Sequence, residues 1–301
     1  MARHALFSEK LPAKMAKREG TMAHGGEIFK FVFDGLLKLD VRSRLAQIRE
    51  RSSERILLRK LRTSRYAQIF DQEDLSRHYG DQALEDPGLQ NVTQTFILER
   101  LQFIENCLGR EEIAASKFMD VGDSSGIFLR AFGKKGVSVN ISEAALRNIR
   151  GKNLEAIKGS IESLPLRDRS VDYVFCFEVI EHTPNPILAL QELERVSSKS
   201  VFVSLPHVSK TTIYPYGYDS TRPPWECHIF EASHRDFLSL LSHTGLELQS
   251  WKIVEVLTPR GLYEKMAFGL WKWFFSRDLF YGVLKRFAVY HLTKGSSHRS
   301  R

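Results

Sequence analysis

The stretch DVGDSSG, residues 120–126, has the residue types of a loop that holds a nucleotide. Asp120 ends a short apolar run, and Gly122 and Gly126 follow it before a sequence that predicts a helix. Glycines let the backbone approach a ligand closely, and the first turn of a helix offers unpaired N–H groups. Ser124 stands where such loops commonly carry another glycine. Because no polar break interrupts the apolar runs that surround the loop, we interpret it as a working variant of a ligand cradle.

Three histidines are candidates for a general base. His182 follows the fourth apolar run, His207 follows the fifth, and His228 lies in the turn-rich stretch 207–231. The tyrosines of YPYGY, residues 214–218, are further candidates. Each histidine also has a structural interpretation, His182 as a helix cap and the other two as ordinary loop residues.

Two glutamates, Glu178 and Glu181, have the residue type of a metal-binding or acid–base pair. Residues at a strand end and at the following helix start usually point apart, so we assign no metal. Cys176 lies inside an apolar run, which predicts core packing.

Five apolar runs alternate with helical patterns and must position these side chains. The runs are KFMDV (117–121), GVSVNIS (136–142), the weaker NLEAIKGS (153–160), SVDYVFCFEVI (170–180) and SVFVSLP (200–206). Continuous rather than alternating runs predict strands buried on both faces, in a mostly parallel sheet with helices on each side. In such a doubly wound α/β fold, ligands bind beyond the carboxyl ends of the strands. The loop at 120–126, Asn140 and the stretches 159–163 and 177–182 all fall there.

The chain divides by pattern into three parts. We predict a helical, basic N-terminal extension over 1–90, a central domain over 91–259 and an aromatic, basic helical segment over 260–301. The central domain opens with an amphipathic helix over 92–108. Two more strands after residue 206 would complete a seven-stranded sheet.

Composition and charge narrow the class of protein. The 301 residues are 43% hydrophobic and 27% charged, which is typical of a globular protein. Three widely separated cysteines and the lack of an apolar signal sequence favour a cytoplasmic location. Part of the net charge of +8 lies in residues 41–65, which we interpret as a solvated helix face, with a phosphate-binding arm as the alternative. The aromatic tail fits a packed helical lid better than a helix on a membrane surface.

Five segments in order resemble the class I S-adenosylmethionine-dependent methyltransferases, in the branch that includes small-molecule enzymes. The segments are MDVGDSSG, VSVNIS, GSIESLPLRDRSVDYV, FEVIEHTPNP and ELERVSSKS. The resemblance covers about residues 117–206 and implies a Rossmann-like methyltransferase fold with S-adenosylmethionine as cofactor. It also implies transfer of a methyl group to a small-molecule, lipid-linked or glycan-precursor acceptor.

The resemblance also implies which residues contact the cofactor and the acceptor. Cofactor contacts are expected from Asp120, Gly122, Ser124, Gly126, Asn140, Ile141, Ser160, Ile161, Glu162, Phe177 and Glu178. His182 and His228 are the catalytic candidates. Three of these positions depart from the family pattern: Ser124 replaces a glycine, and Asn140 and Ser160 replace acids. Asn140 can still pair with ribose hydroxyls, although without a charge-assisted bond.

Two other functions remain open at this point. A nicotinamide-dependent oxidoreductase uses a similar loop, but the loop here lacks the full G-x-G-x-x-G spacing and Asn140 is not acidic. A non-catalytic methyltransferase-like module could use its basic region to bind RNA or a membrane surface. The sequence leaves the oligomeric state and the identity of the acceptor open.

Overall fold

The computed structural model describes residues 41–70, 87–133, 135–215, 217, 227–255 and 286–295. The chain divides into two compact units, residues 1–49 and residues 50–301. Apart from the start of the first helix, every element described below belongs to the second unit. Among the described residues, no helix is both long and apolar enough to cross a bilayer.

The described strands form one large sheet and one small one. The strands are β1 (Phe118–Val121), β2 (Gly136–Asn140), β3 (Glu155–Lys158), β4 (Val171–Phe177), β5 (Ser197–Pro206), β6 (Thr212–Ile213), β7 (Phe230–Glu231), β8 (Leu246–Glu255) and β9 (Arg286–Lys294). The large sheet has the order β3-β2-β1-β4-β5-β9-β8, and β6 pairs with β7. Strands β1 to β5 pair in parallel, whereas β9 is antiparallel to both of its neighbours. The predicted mostly parallel, doubly wound sheet is therefore confirmed.

The described helices connect these strands or precede them. They are α1 (Val41–Thr63), α2 (Pro87–Leu108), α3 (Arg110–Ala115), α4 (Ile127–Ala131), α5 (Glu143–Arg150), α6 (Pro186–Val196) and α7 (His234–Leu241). Polar caps begin three of them, because the side chains of Ser142, Asn185 and Ser233 accept hydrogen bonds from backbone N–H groups of the first turn. Pro186 stands at the start of α6, where its missing N–H costs nothing.

Strand β4 shows how the sheet separates two buried layers. Tyr173 and Phe175 lie in a layer that includes residues of α2 and α4, and Phe177 packs against that layer. Val174 and Cys176 lie in the other layer, which includes residues of α6 and α7. Alternate residues of a strand point to opposite faces, so one apolar run supplies both layers. The location of Cys176 agrees with core packing.

The segment around Tyr66, which the sequence assigns to an N-terminal extension, packs into the core of the second unit. The ring of Tyr66 meets Phe132 edge-on at a centroid distance of 6.1 Å, and Arg130 donates a hydrogen bond to the carbonyl of Ile69. Leu57 of α1 belongs to the same buried layer. The predicted boundary at residue 90 therefore lies inside the compact unit, because apolar residues at wide spacing before it complete the core.

Residues 286–294 correct a second expectation. The sequence predicts a helical segment over 260–301, but Arg286–Lys294 is strand β9, inserted between β5 and β8. Its buried residues alternate between the layers, with Phe287 and Val289 on one side and Ala288 and Tyr290 on the other. This two-residue alternation is that of a strand. In the sequence it is hard to recognise, because further aromatic residues adjoin it. The rest of the predicted helical segment lies outside the described residues, apart from Gly295.

Candidate functional site

The loop between β1 and α4 lies where the strand order reverses, since β1 pairs with β2 on one side and with β4 on the other. This is the position at which doubly wound sheets bind ligands. Gly122 and Gly126 both have positive φ, at 82° and 70°. A side chain on Gly122 would collide with Val179, and one on Gly126 would collide with Leu154. Both glycines are therefore required by the fold of the loop itself.

Asp123 holds this loop together and was not singled out by the sequence analysis. Its carboxylate accepts hydrogen bonds from the backbone N–H and the hydroxyl of Ser125, each at 2.9 Å, and from the N–H of Gly126. Asn148 and Lys152 donate to the carbonyls of Ser124 and Ser125. The signal in the sequence is an Asp followed by Ser and Gly, the residue types of a turn closed by an aspartate side chain.

Asp120 is a buried acid at the carboxyl end of β1. Burial raises its pKa well above the usual value, Asp123 adds to the rise, and Arg100 opposes it. Within the described part of the chain, its Oδ2 atom has no hydrogen-bond partner. A carboxyl group in this state can pair with a cation that enters the site, because a nearby opposite charge favours ionisation.

Asn140 and Ile141 follow β2 and lie beside the loop. The Asn140 amide donates to the carbonyl of Asp123 and accepts from the N–H of Ser142, both at 2.8 Å. This side chain therefore ties the end of β2 to the loop, and an amide still has one hydrogen and one lone pair for a further partner. Ile141 is 46% exposed, which is unusual for a large aliphatic residue at a strand end.

The turn at 160–163 joins the edge of the sheet to the start of α6. The hydroxyl of Ser160, an exposed residue, accepts from the N–H of Glu162, and Ile161 is buried. The Glu162 carboxylate accepts from the N–H of Asn185 at 2.9 Å and from the hydroxyl of Thr183. The side chain of Glu162 is thus engaged with the protein and ties this turn to the residues before α6.

Phe177 ends β4, Glu178 follows it, and both contact Arg100 of helix α2. The Arg100 guanidinium lies 5.2 Å from the centre of the Phe177 ring and forms an ion pair with Glu178. Glu178 has a positive φ of 52° and also accepts from the hydroxyl of Ser204 at 2.5 Å. Arg100 is nearly buried, and sequence reasoning missed it because an isolated arginine on a helix gives no sign that it points inward.

Two of the three candidate histidines lie together. The rings of His182 and His228 meet edge-on with a centroid distance of 4.7 Å. His182 Nδ1 lies 3.0 Å from the Cys227 carbonyl, and His228 Nδ1 lies 2.7 Å from the Glu231 carboxylate. Burial, aided by the neighbouring His228, lowers the pKa of His182 to about 4.

Glu181 completes this group, which we call the carboxylate–histidine cluster (Glu181, His182 and His228). Glu181 is fully buried, and burial followed by the charge of Glu178 raises its pKa well above the usual value. Neither of its carboxyl oxygens has a hydrogen-bond partner in another described residue. Sequence reasoning discounted this glutamate, because it could not show that a loop some 45 residues later returns to it.

The remaining base candidates do not join the cluster. The His207 ring lies 6.5 Å from Trp251. Tyr214 is exposed, with a positive φ of 45°. The other two tyrosines of the YPYGY stretch, residues 216 and 218, lie outside the described residues.

This fold and loop resemble those of the class I methyltransferases, whose family cofactor is S-adenosylmethionine. Residues 119–204 match the family model described as "Methyltransferase domain". The match begins in β1 and ends in β5, so it spans the loop, the end of β2 and the cluster residues Glu181 and His182. It confirms the resemblance predicted from the five sequence segments.

Curated relatives point to the same class. A ubiquinone biosynthesis O-methyltransferase of Nitrosomonas europaea is 27% identical over 132 residues, 40% of this chain and 54% of the relative. A Mycobacterium tuberculosis protein named "Probable S-adenosylmethionine-dependent methyltransferase" is 26% identical over 172 residues, 55% of this chain and 60% of the relative. The chain thus spans little more than half the length of these relatives.

Solved structures with a similar backbone include two methyltransferases. Magnesium protoporphyrin IX methyltransferase from Synechocystis PCC 6803 with bound SAM has a TM-score of 0.49 at 12% identity, over 74% of this chain and 90% of that one. A SAM-dependent methyltransferase from Thermotoga maritima, titled a possible histamine N-methyltransferase, has a TM-score of 0.48 at 19% identity, over 75% of this chain and 98% of that one.

Proposed function

We propose that this protein binds S-adenosylmethionine beside residues 120–126 and transfers its methyl group to a hydroxyl-bearing acceptor, either a small molecule or a lipid-linked or glycan precursor. The observation that carries the proposal is the loop with two positive-φ glycines at the strand-order reversal, inside the region that matches the methyltransferase family model. The ubiquinone biosynthesis O-methyltransferases among the relatives favour oxygen as the acceptor atom.

The cofactor half of the proposed site runs along the ends of β1 and β2. We assign the adenine ring to the exposed face of Ile141, because a flat apolar ring would cover aliphatic surface that otherwise faces water. Asn140 would meet the ribose through its remaining amide hydrogen and lone pair. The buried carboxyl of Asp120, with one oxygen unpaired among the described residues, is suited to the ammonium group of the methionine end.

The acceptor half would lie towards the carboxylate–histidine cluster. A sulfonium already carries its leaving group, so the protein contributes mainly by aligning the acceptor and excluding water. A base is needed only where the acceptor must lose a proton. The Glu231 carboxylate beside His228 Nδ1 favours a proton on that nitrogen, which makes Nε2 the basic one. His182 would be neutral near pH 7, since its pKa lies at about 4.

Isothermal titration tests the cofactor assignment directly. The full chain is titrated with S-adenosylmethionine, with its demethylated product and with NAD, and the first two should bind while NAD does not. Ile141→Ala should weaken S-adenosylmethionine binding roughly tenfold. The substitution removes three carbon groups from the side chain, and the adenine ring would cover each of them only in part. Leu58→Ala, at a similarly exposed leucine of α1, is the matched control and should bind like wild type. Binding of NAD alone, or an unchanged affinity for the Ile141 variant, would refute the assignment.

A second candidate function is the binding of a polyanion, which a row of arginines on helix α1 favours. Arg51, Arg55 and Arg59 of α1 are exposed and recur every four residues, so they share one face of the helix. Filter binding of RNA across a salt series tests it, because phosphate contacts weaken steeply with salt. The methyltransferase proposal does not depend on the outcome.

A further inference from the structure

We propose that Glu181, His182 and His228 form a binding site for a divalent transition-metal ion, with Zn²⁺ as the ion that fits the donors best. The ligand atoms that these three side chains offer lie within 4.8 Å of one another. Two donors on a tetrahedral zinc ion lie about 3.3 Å apart. Binding therefore needs to draw each pair together by at most about 1.5 Å, which side-chain rotation can supply.

The state of Glu181 is the first reason to place a cation here. Its side chain is fully buried, and neither carboxyl oxygen has a hydrogen-bond partner in another described residue. Buried polar groups in native proteins are nearly always hydrogen-bonded or bound to an ion. A cation between Glu181 and the two imidazoles would give one of these carboxyl oxygens a partner.

The second reason is the way the two imidazole rings are held. His182 Nδ1 faces the Cys227 carbonyl, and His228 Nδ1 faces the Glu231 carboxylate. Metal-binding histidines typically donate their other ring N–H to a carbonyl or a carboxylate, which fixes the tautomer and the ring orientation. Both rings show this outer contact at Nδ1, so we take Nε2 of each ring as the metal ligand.

The donor set selects the kind of ion. Two imidazole nitrogens and one carboxylate oxygen suit zinc and similar first-row ions, whereas magnesium prefers oxygen ligands. Glu178 is excluded as a fourth ligand, because its carboxylate is held by Arg100 and Ser204. Three protein ligands leave one position for water or for another oxygen donor.

The role of this open position rests on the proposed function. An acceptor hydroxyl bound there would lose its proton to solvent more readily, because a metal ion lowers the pKa of a bound oxygen. The resulting oxygen anion would attack the methyl carbon, the carbon–sulfur bond would break, and its electron pair would stay on sulfur. In that case His228 acts as a ligand and not as a base.

Metal titration of the full chain tests the site without any methyl acceptor. Protein stripped with a chelator is titrated with Zn²⁺ in competition with a chromophoric chelator. We expect one ion per chain with a Kd below about 1 µM. Glu181→Gln and His228→Asn should each weaken binding at least tenfold, while His243→Asn, at an exposed histidine, should bind like wild type. Thermal melts confirm that each variant is folded.

A second measurement needs no variant. Co²⁺ added to the stripped wild-type protein should give the intense visible absorption of a four-coordinate site, and Zn²⁺ should abolish it. Failure to bind one equivalent of Zn²⁺, or unchanged affinity in both folded cluster variants, would overturn the proposal. Titration of the same stripped protein with S-adenosylmethionine reports on the cofactor site separately, so failure of one proposal is distinguishable from failure of the other.

Discussion

Substitution of Gly126 and of Gly133 would separate two causes of lost stability, backbone strain at positive φ and steric collision of the new side chain. Both have positive φ, at 70° and 87°. An added side chain would collide with Leu154 at Gly126, whereas at Gly133 it would meet no atom of the described residues within 4 Å. We expect Gly133→Ala to lower the free energy of unfolding by about 1 kcal/mol, the cost of positive φ alone. Gly126→Ala should cost about 3 kcal/mol, because overpacking is added. Urea denaturation measures both, and equal losses would mean that Leu154 yields without cost.

Ser124 provides the complementary prediction in the same loop. Ser124→Gly restores the residue that the methyltransferase pattern carries, and the carbonyl of residue 124 keeps its bond from Asn148. We therefore expect S-adenosylmethionine affinity within about threefold of wild type, or higher. Calorimetric titration of both proteins decides this. A loss of tenfold or more would show that the serine hydroxyl itself contacts the cofactor.

Single residues differ in how far the sequence could predict their place in the candidate site. Gly122 and Gly126 were predictable, because glycine reports a local backbone requirement. Asp123, which closes the loop, gave a local signal that was overlooked. Glu181 and His228 are brought together only by the folded chain, across a stretch of about 45 residues. No local sequence pattern predicts a contact between residues that far apart in the chain.

At the scale of elements, the sequence predicted the parallel strands well and β9 poorly. Strands β1, β2, β4 and β5 are largely buried and therefore read as continuous apolar runs, whereas the edge strand β3 is partly exposed and gives a weaker pattern. Strand β9 joins the sheet by pairing with β5, some 90 residues earlier along the chain. Pairing at that range depends on which partners are free in the folded sheet. The aromatic composition of the C-terminal segment favoured a helix in its place.

Helix α2 is joined to the carboxyl end of strand β4 by the ion pair between Arg100 and Glu178, the residue that follows the strand. The Arg100 side chain is 4% exposed, so Arg100→Met would leave a carboxylate partly buried without its counter-charge. We expect a loss of about 3–5 kcal/mol in the free energy of unfolding. Adding Glu178→Gln should recover much of it, because the unpaired charge is then removed.

The matched control for this pair is Lys199→Met. Lys199 pairs with Glu112 at 2.6 Å, but its side chain is 47% exposed. An exposed pair contributes at most about 1 kcal/mol, so the loss should stay below that. Denaturant titration of the four proteins gives the comparison. If the double variant were no more stable than Arg100→Met, packing of the arginine stem and not its charge would be what joins the two elements.

For the whole molecule, buried ionisable groups make stability depend on pH in two opposing directions. Asp120 and Glu181 have raised pKa values, so they favour the folded state most below their unfolded pKa and lose that contribution as the pH rises. His182 and His291 have pKa values lowered to about 4, so their cost appears as the pH falls below 6.5. As the pH changes, the contribution of the two acids and that of the two histidines partly cancel in the stability of the wild-type protein. A comparison of variants is therefore needed to separate the two contributions.

His291 is the best residue for separating these contributions, because it lies in β9 and not in the carboxylate–histidine cluster. Its ring stacks on Phe202 at 4.4 Å and its Nε2 lies 3.0 Å from the Ser200 hydroxyl. Burial lowers its pKa from 6.5 to about 4. The unfolded chain therefore binds more protons in that interval, and wild type should lose about 2 kcal/mol from this residue between pH 7 and pH 5.

His291→Phe keeps the ring stacking and removes the titration. The stability of wild type relative to this variant should therefore fall by about 2 kcal/mol from pH 7 to pH 5 in urea denaturation. Ser200→Ala removes the hydrogen-bond partner but keeps the imidazole, so it should retain the pH dependence of wild type. A wild-type and a Phe variant whose stabilities stay parallel across this range would show that His291 is protonated equally in the folded and unfolded states, and that burial in β9 does not set its charge.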